Sequence, residues 1–171
     1  ALQQDEATSV LVLVSKPPAD EVVQLILDQV AASKKPTVIC FLGGDMTSLV
    51  NVPNAIPART LYECALLAVQ IVRPEIGDVK SILEAENARF AEQAQDLKSR
   101  LKSNQRYLRA LFSGGTLCYE AQVIWKELLA SGVYSNAPLP GGSILPDSTK
   151  SCQHTAVDLG EEEFTVGRPH P

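Results

Sequence analysis

The sequence is short of the residues that most catalytic motifs need. It holds two histidines, His154 and His170, and four cysteines, Cys40, Cys64, Cys118 and Cys152, with no C-x-x-C pair. Local spacing therefore supplies no tetrahedral ligand set, and no metal site is expected. Walker A, G-x-G-x-x-G and G-x-S-x-G sequences are also missing, which removes the P-loop, the dinucleotide fingerprint and the serine-hydrolase elbow. The longest apolar runs, Val10 to Val14 and Val38 to Leu42, are far too short to cross a bilayer, and no charged-then-apolar leader opens the chain. Fifteen basic residues stand against twenty acidic ones, a net charge of -5, and the basic ones are scattered rather than striped. That balance disfavours nucleic acid, so small anions would have to be bound locally. The expected setting is a cytoplasm with reduced thiols and no membrane partner. The chain begins without methionine and stops at Arg168-Pro169-His170-Pro171, so an internal, truncated piece of a longer protein is expected.

What is present is an α/β pattern. With 171 residues and 45% hydrophobic content, the chain can bury a core as one domain or two small ones. From Ser9 to Val14 nearly every residue is apolar, which predicts a strand covered on both faces as in a parallel sheet. Asp20 to Ala32 follows, with Val22, Val23, Ile26, Leu27 and Val30 at helical steps, and Thr37 to Leu42 is a second strand. This is a βαβ unit. Residues 51–57 read as a loop, and Thr60-Leu61-Tyr62-Glu63 as a capping box opening a helix to about Val72. From Ile76 to Gln105 the composition predicts a long helix, amphipathic through Val79, Leu83, Phe90, Ala94, Leu97 and Leu101. The second half predicts a strand at Tyr107 to Phe112, a turn at Gly114-Gly115-Thr116, a helix from Leu117 to Ala130, a long excursion from Ser135 to Gln153, and a strand at His154 to Leu159. The domain reading is a first α/β domain over 1–73, a helical connection over 74–105, and a partial second α/β domain over 106–171 that leans on other sequence for its core.

Two places have the grammar of an anion site. Ser113-Gly114-Gly115-Thr116 joins a strand to a helix start, where backbone N–H groups point outward and glycine admits a close ligand. Thr116 alternatively serves only as the helix N-cap of a tight turn. Cys118 falls in the first helical turn, which favours a thiolate, although a small buried cysteine is the plainer reading. Gly43-Gly44-Asp45 lies at the C-terminal end of the second strand, the rim at which open α/β sheets bind ligands. Past the last strand, Arg168 suits a carboxylate or phosphate and His170 suits proton transfer, while Glu161 to Glu163 read as a solvated acidic turn.

These residues carry a resemblance. Val12-Leu13-Val14-Ser15-Lys16-Pro17-Pro18-Ala19, Lys35-Pro36-Thr37-Val38 through Phe41-Leu42-Gly43, Leu111-Phe112-Ser113-Gly114-Gly115-Thr116-Leu117, and Val157-Asp158-Leu159-Gly160 with Phe164 to Pro171 resemble, in order, the FdrA family of acyl-CoA synthetase-like proteins. The resemblance covers most of the chain, and 76–105 is its least recognisable part. FdrA proteins are similar to succinyl-CoA synthetase, so the resemblance implies flavodoxin-like, ligase-type domains with parallel sheets. It also implies handling of an acyl phosphate or a small carboxylate, and partner subunits. In succinyl-CoA synthetase a histidine after the strand matching Thr37 to Leu42 carries the phosphoryl group, and Gly43-Gly44-Asp45-Met46-Thr47-Ser48 contains none. The CoA-binding and ATP-grasp modules of a full ligase are absent too. FdrA-type proteins have been linked to oxamate carbamoyl transfer in purine-derived nitrogen catabolism, which needs an acyl-phosphate site but no phosphohistidine. The reading is thus a part of an oxamate carbamoyltransferase, inactive as a fragment, with no cofactor assigned. Its alternatives are an acyl-CoA synthetase using CoA and ATP, and a non-catalytic assembly domain.

Overall fold

The structure is a computed structural model that describes residues 2–168, and the chain divides into two compact units, residues 1–101 and 102–171. Both are α/β, with parallel sheets and flanking helices.

In the first unit, β1 (Leu11–Ser15), β2 (Thr37–Phe41) and β3 (Ala55–Pro57) form a parallel sheet in the order β1-β2-β3. The helix α1 (Asp20–Ala31) makes the crossover from β1 to β2. Its Leu27 and Val30 pack with Ile39 and Phe41 of β2 and with Leu49, and Leu13, Val23 and Ile26 close round them. Strand alternation puts Val38 and Cys40 on the opposite sheet face, where both are fully buried. The helix α2 (Leu61–Val72) packs against β2 and β1.

Two expectations are corrected here. The strand predicted from Ser9 is covered incompletely on the face opposite α1, because β1 is a sheet edge and leaves Val12 and Val14 52% and 40% exposed. The 51–57 segment contains a strand, since Thr37 and Ala58 tie it to the sheet through Asn54 O (2.8 Å) and Ile39 O (2.8 Å). Pro57 is tolerated there because β3 pairs on one side alone.

The capping box forms. Thr60 Oγ1 accepts from the Glu63 N–H at 3.1 Å, and Glu63 Oε2 accepts from the Arg59 N–H at 2.7 Å, one residue before the usual partner. The long helix α3 (Val79–Arg100) is shorter at both ends than the composition suggests. Pro74–Ile76 forms a single 3-10 turn, Gly77 turns with φ +92°, and Asp78 then caps the helix by accepting from the Ser81 N–H at 2.9 Å.

The second unit holds four strands where two are expected. They are β4 (Arg109–Phe112), β5 (Val133–Ser135), β6 (Ser143–Ile144) and β7 (His154–Asp158), all parallel in the order β4-β7-β5-β6. The two short strands are hidden in the sequence by the prolines and glycines around them. The helix α4 (Gly115–Leu128) connects β4 to β5 and packs on β4, β7 and β5, burying Cys118, Tyr119 and Gln122. A one-turn helix, α5 (Glu162–Thr165), follows β7.

Ile39 has no solvent exposure, so Ile39→Ala is expected to cost about 2–5 kcal/mol through lost burial and a residual cavity, whereas Val12→Thr at the open edge stays within about 0.5 kcal/mol. Urea denaturation midpoints of the two variants check this contrast.

Candidate functional site

The strongest candidate lies at the C-terminal rim of the second unit's sheet. Parallel pairing carries the ends of β4, β7 and β5 to the same side. Phe112 is in register with Asp158, and Phe112 O accepts from the Leu159 N–H at 2.8 Å, so the loops after β4 and β7 leave the sheet side by side. Ser113-Gly114-Gly115-Thr116 and Asp158-Leu159-Gly160 are thereby brought together.

Gly114, not Thr116, is the N-cap of α4, and no side chain caps the helix. The N-cap reading of Thr116 is corrected: it sits inside the first turn and is exposed. Gly114 has φ -164°, extended backbone that any residue adopts, and a Cβ placed there would meet nothing within 4 Å. Among the described residues neither conformation nor packing calls for glycine at this position. The amide and dipole ends of a helix attract an anion by about 0.3–1 kcal/mol at an exposed site, more when partly buried.

The rim is braced by side chains that sequence reasoning missed. Asn136, directly after β5, continues the ladder with its amide: Oδ1 accepts from the Asp158 N–H at 2.9 Å and Nδ2 donates to Asp158 O at 2.9 Å. Its second Nδ2 hydrogen goes to Glu163 Oε1 at 2.8 Å, and Ser148 Oγ donates to Glu163 Oε2 at 2.7 Å. Glu163 is therefore a bridge between segments rather than merely part of a solvated turn. Asp158 is buried, and its Oδ1 accepts from the Gly160 N–H at 2.8 Å, which fixes the turn facing Gly114. The only signal for this network was an asparagine after a strand and an Asp-x-Gly turn.

Cys118 points inward. It is 1% exposed, with Sγ 4.0 Å from Ser135 Oγ and 3.6 Å from Gln122 Nε2, so it belongs to the helix-sheet contact and not to the rim. Burial also pushes the Cys64 thiol up, with the Glu63 carboxylate adding to the effect. His154 is at the other end of β7, roughly 13 Å from Asp158 at the rise of an extended chain. It is 7% exposed, its Nδ1 accepts from the Leu108 N–H at 3.1 Å, and its ring meets Tyr107 edge-on at 5.4 Å. That is a structural histidine. Arg168 is exposed after α5, where its N–H donates to Thr165 O at 3.0 Å. No ion pair or hydrogen bond of its guanidinium reaches the glycine turn among the described residues, and His170 lies outside them.

Gly43 and Gly44 belong to the first unit and serve a different purpose. Gly43 has φ +69°, and a Cβ on Gly44 would sit 3.2 Å from Phe41 O and 3.3 Å from Phe41 Cβ, so both glycines are explained by the turn itself. A cleft of about 280 Å³ beside them is lined by residues that include Pro17, Asp20, Phe41 and Asp45. Hydrogen bonds from the Thr47 N–H (2.9 Å) and Oγ1 (2.8 Å) hold the Asp45 carboxyl below its usual range. This rim presents carboxylates where a phosphate needs positive charge. A second cavity, about 240 Å³ and lined by residues including Gln122, Lys126, Val133 and Ser143, opens at the strand N-termini of the second unit, away from Gly114. Among the described residues no group of three or more His, Cys, Asp and Glu is placed to hold a metal ion, and no helix is long and apolar enough to cross a membrane.

Asn136→Ala leaves the buried β7 end without its side-chain partners and is expected to destabilise the chain by about 1–3 kcal/mol, read from denaturation midpoints. Asp147 accepts from Lys150 Nζ (2.7 Å) and from the Thr149 N–H (3.0 Å), and these bonds, the lysine's first, lower its pKa to about 2. Its folded pKa is depressed, so the turn it closes is held above the ordinary carboxylate range and is lost as pH falls through about 2. An NMR titration of the Thr149 amide should show that midpoint; one near the ordinary 3.8 would contradict the turn geometry.

No family model matches the chain. The chain is 37% identical over 172 residues to the uncharacterized protein YahF of Escherichia coli (strain K12), and the match takes in 99% of this chain and 32% of YahF. The chain thus spans about a third of the length of that curated relative.

Proposed function

We propose that this chain is a ligase-like region of an FdrA-type protein, with flavodoxin-like, ligase-type α/β units, and that it handles an acyl phosphate within an oxamate carbamoyltransferase. The observation that carries the reading is the glycine at position 114. It stands before an uncapped helix N-terminus, beside the turn after a neighbouring parallel strand, where neither backbone angle nor contact requires glycine. The N–H groups of Gly115, Thr116 and Leu117 would receive phosphate oxygens, and the Thr116 hydroxyl would add a further donor. The chemical demand of carbamoyl transfer to phosphate is stabilisation of negative charge as the carbamoyl carbon is attacked, a task for fixed amides at a helix end.

Support also comes from His154. In a synthetase that passes phosphate through histidine, an imidazole must reach the anion site, and His154 is engaged at the opposite rim with Leu108 and Tyr107. The reading assigns the remaining catalytic groups to sequence outside this chain or to partner subunits, and the similarity to YahF, which takes in about a third of that protein, leaves room for them.

The test uses the full-length protein with its neighbouring subunits, assayed for carbamoyl phosphate from carbamoyl-oxamate and phosphate. Gly114→Val, whose Cβ meets no atom within 4 Å and whose branched side chain would crowd the approach, and Thr116→Val are each expected to lower turnover by about tenfold or more. Unchanged turnover in both contradicts the site. Acid-labile protein phosphate with CoA-dependent ATP turnover would move the chain to the acyl-CoA synthetase reading, and inactivity in every assay with the fold intact would leave an assembly domain.

A further inference from the structure

The helix α3 carries a seam that the first unit leaves uncovered from Asn87 onward, with Leu83 half-buried at its start. Leu83, Asn87, Phe90, Ala94 and Leu97 follow one another by alternating steps of four and three residues, and Leu101 at the C-cap extends the series. Asn87 is its single polar member. A repeat of 3.5 residues is the signature of a helix made to pair with another helix rather than to lie on a globular core. From Asn87 onward every residue of α3 is exposed, and Phe90, Leu97 and Leu101 stand at 52%, 60% and 53%. The Arg89 guanidinium lies 5.3 Å from the Phe90 ring centroid and leaves half the ring open.

We propose that this seam pairs with the same helix of a second copy of the chain, in antiparallel orientation. Two independent features specify it. The first is charge. The residues flanking the seam are acidic near its start, Glu84 and Glu86, and basic near its end, Lys98 and Arg100. In an antiparallel register centred on residue 92, Glu84 faces Lys98 of the second copy and Glu86 faces its Arg100, and two-fold symmetry repeats both pairs. The parallel register opposes Glu86 to Ala91 and Gln93 to Lys98, which pairs no charges. Within the chain these groups make local contacts: Glu84 with Lys80 at 3.9 Å, Glu86 with Arg89 at 3.4 Å, and Arg100 with Asp96. Glu86 also bonds Tyr62 and raises that phenol's pKa. The ion pairs are exposed and worth little, so they do not compete strongly with pairing between helices.

The second feature is volume. The same antiparallel register sets Ala94 against Phe90 of the second copy in both central layers, so each holds one small and one large side chain, and it closes the two ends with Leu83 against Leu101. A parallel pair would set Ala94 on Ala94 and Phe90 on Phe90, leaving a void in one layer and a collision in the next. Asn87 meets Leu97 in the antiparallel pair, one layer in from the end. An asparagine in a seam lowers its stability, which makes the association reversible rather than permanent. The Asp78 cap and the contact with α2 anchor the N-terminal end of α3, which lowers the ordering cost that a two-heptad seam would otherwise carry.

Sedimentation equilibrium of the chain over a range of concentrations tests the pairing. The expected result is a reversible monomer-dimer equilibrium. Phe90→Ser with Leu97→Ser should give a monomer whose urea midpoint matches that of the wild-type chain diluted to its monomeric range, because both side chains are exposed. The charge pairs are tested by an all-basic variant, Glu84→Lys with Glu86→Lys, and an all-acidic variant, Lys98→Glu with Arg100→Glu. Each alone should raise the dissociation constant by about tenfold or more, and an equimolar mixture should form a heterodimer, since all four pairs are restored between the two variants. Orientation is read by disulfide trapping: Ala94→Cys should join Phe90→Cys in a mixture and should not join itself, because facing residues alone come within disulfide reach. A monomeric wild-type chain at every concentration, a dimer that survives the serine substitutions, a charge-variant mixture that fails to associate, or Ala94→Cys that joins itself would each overturn the proposal.

Discussion

Parallel strand pairing is the constraint on which the rest of this structure depends. Because β4, β7 and β5 run in one direction, the chain must return to the opposite end of the sheet after each strand, and α4 is one such return. The same constraint gathers the strand ends at one rim and sets a helix N-terminus there. β7 is hydrogen-bonded on both sides and buried along its length, so it fixes the level at which the turns of β4 and β7 emerge. Where backbone pairing stops, the Asn136 amide takes over with the same two-bond geometry. The place of the α4 N-terminus beside the turn after β7 is thus a consequence of sheet direction, and the side-chain network holds that β7 turn still.

The two glycine pairs show why position at a sheet rim is an incomplete argument. Gly43-Gly44 and Gly114-Gly115 both follow a parallel strand. The first pair has a positive φ at Gly43, close backbone at Gly44, and the acidic residues Asp20 and Asp45 lining the adjoining cleft. The second has extended backbone at Gly114 and open space before an uncapped helix. Charge and room, neither of which follows from the two letters alone, separate a structural turn from a candidate site.

Much of the first unit was legible because its signals are local. The apolar run at 37–42, the three- and four-residue steps from Val22 to Val30, and the Thr60 capping box each report on a few neighbouring residues, and the elements form where those residues lie. β3, β5 and β6 were not legible, since they are two or three residues long, carry Pro or Gly at or near their ends, and exist only because a longer strand lies beside them. The exposure of Val12 and Val14 escaped for the same reason: strand order decides which strand is an edge, and an apolar run looks alike in either place. At the rim, the glycine turn could be read from residues 113–116, whereas Asn136 is joined to Asp158 and Glu163 across more than 20 residues, and the local signs, an asparagine after a strand and an Asp-x-Gly turn, do not say which segments meet.

The account rests on the claim that the start of α4 receives a phosphate group. The most direct measurement is an NMR titration of the chain with inorganic phosphate, following the backbone amides. The account predicts saturable shifts at Gly115, Thr116 and Leu117, lost in Gly114→Val, with the Gly43 and Gly44 amides unmoved. Shifts at Gly43 and Gly44 instead, or amides at 115–117 that stay still as phosphate is raised, would contradict it.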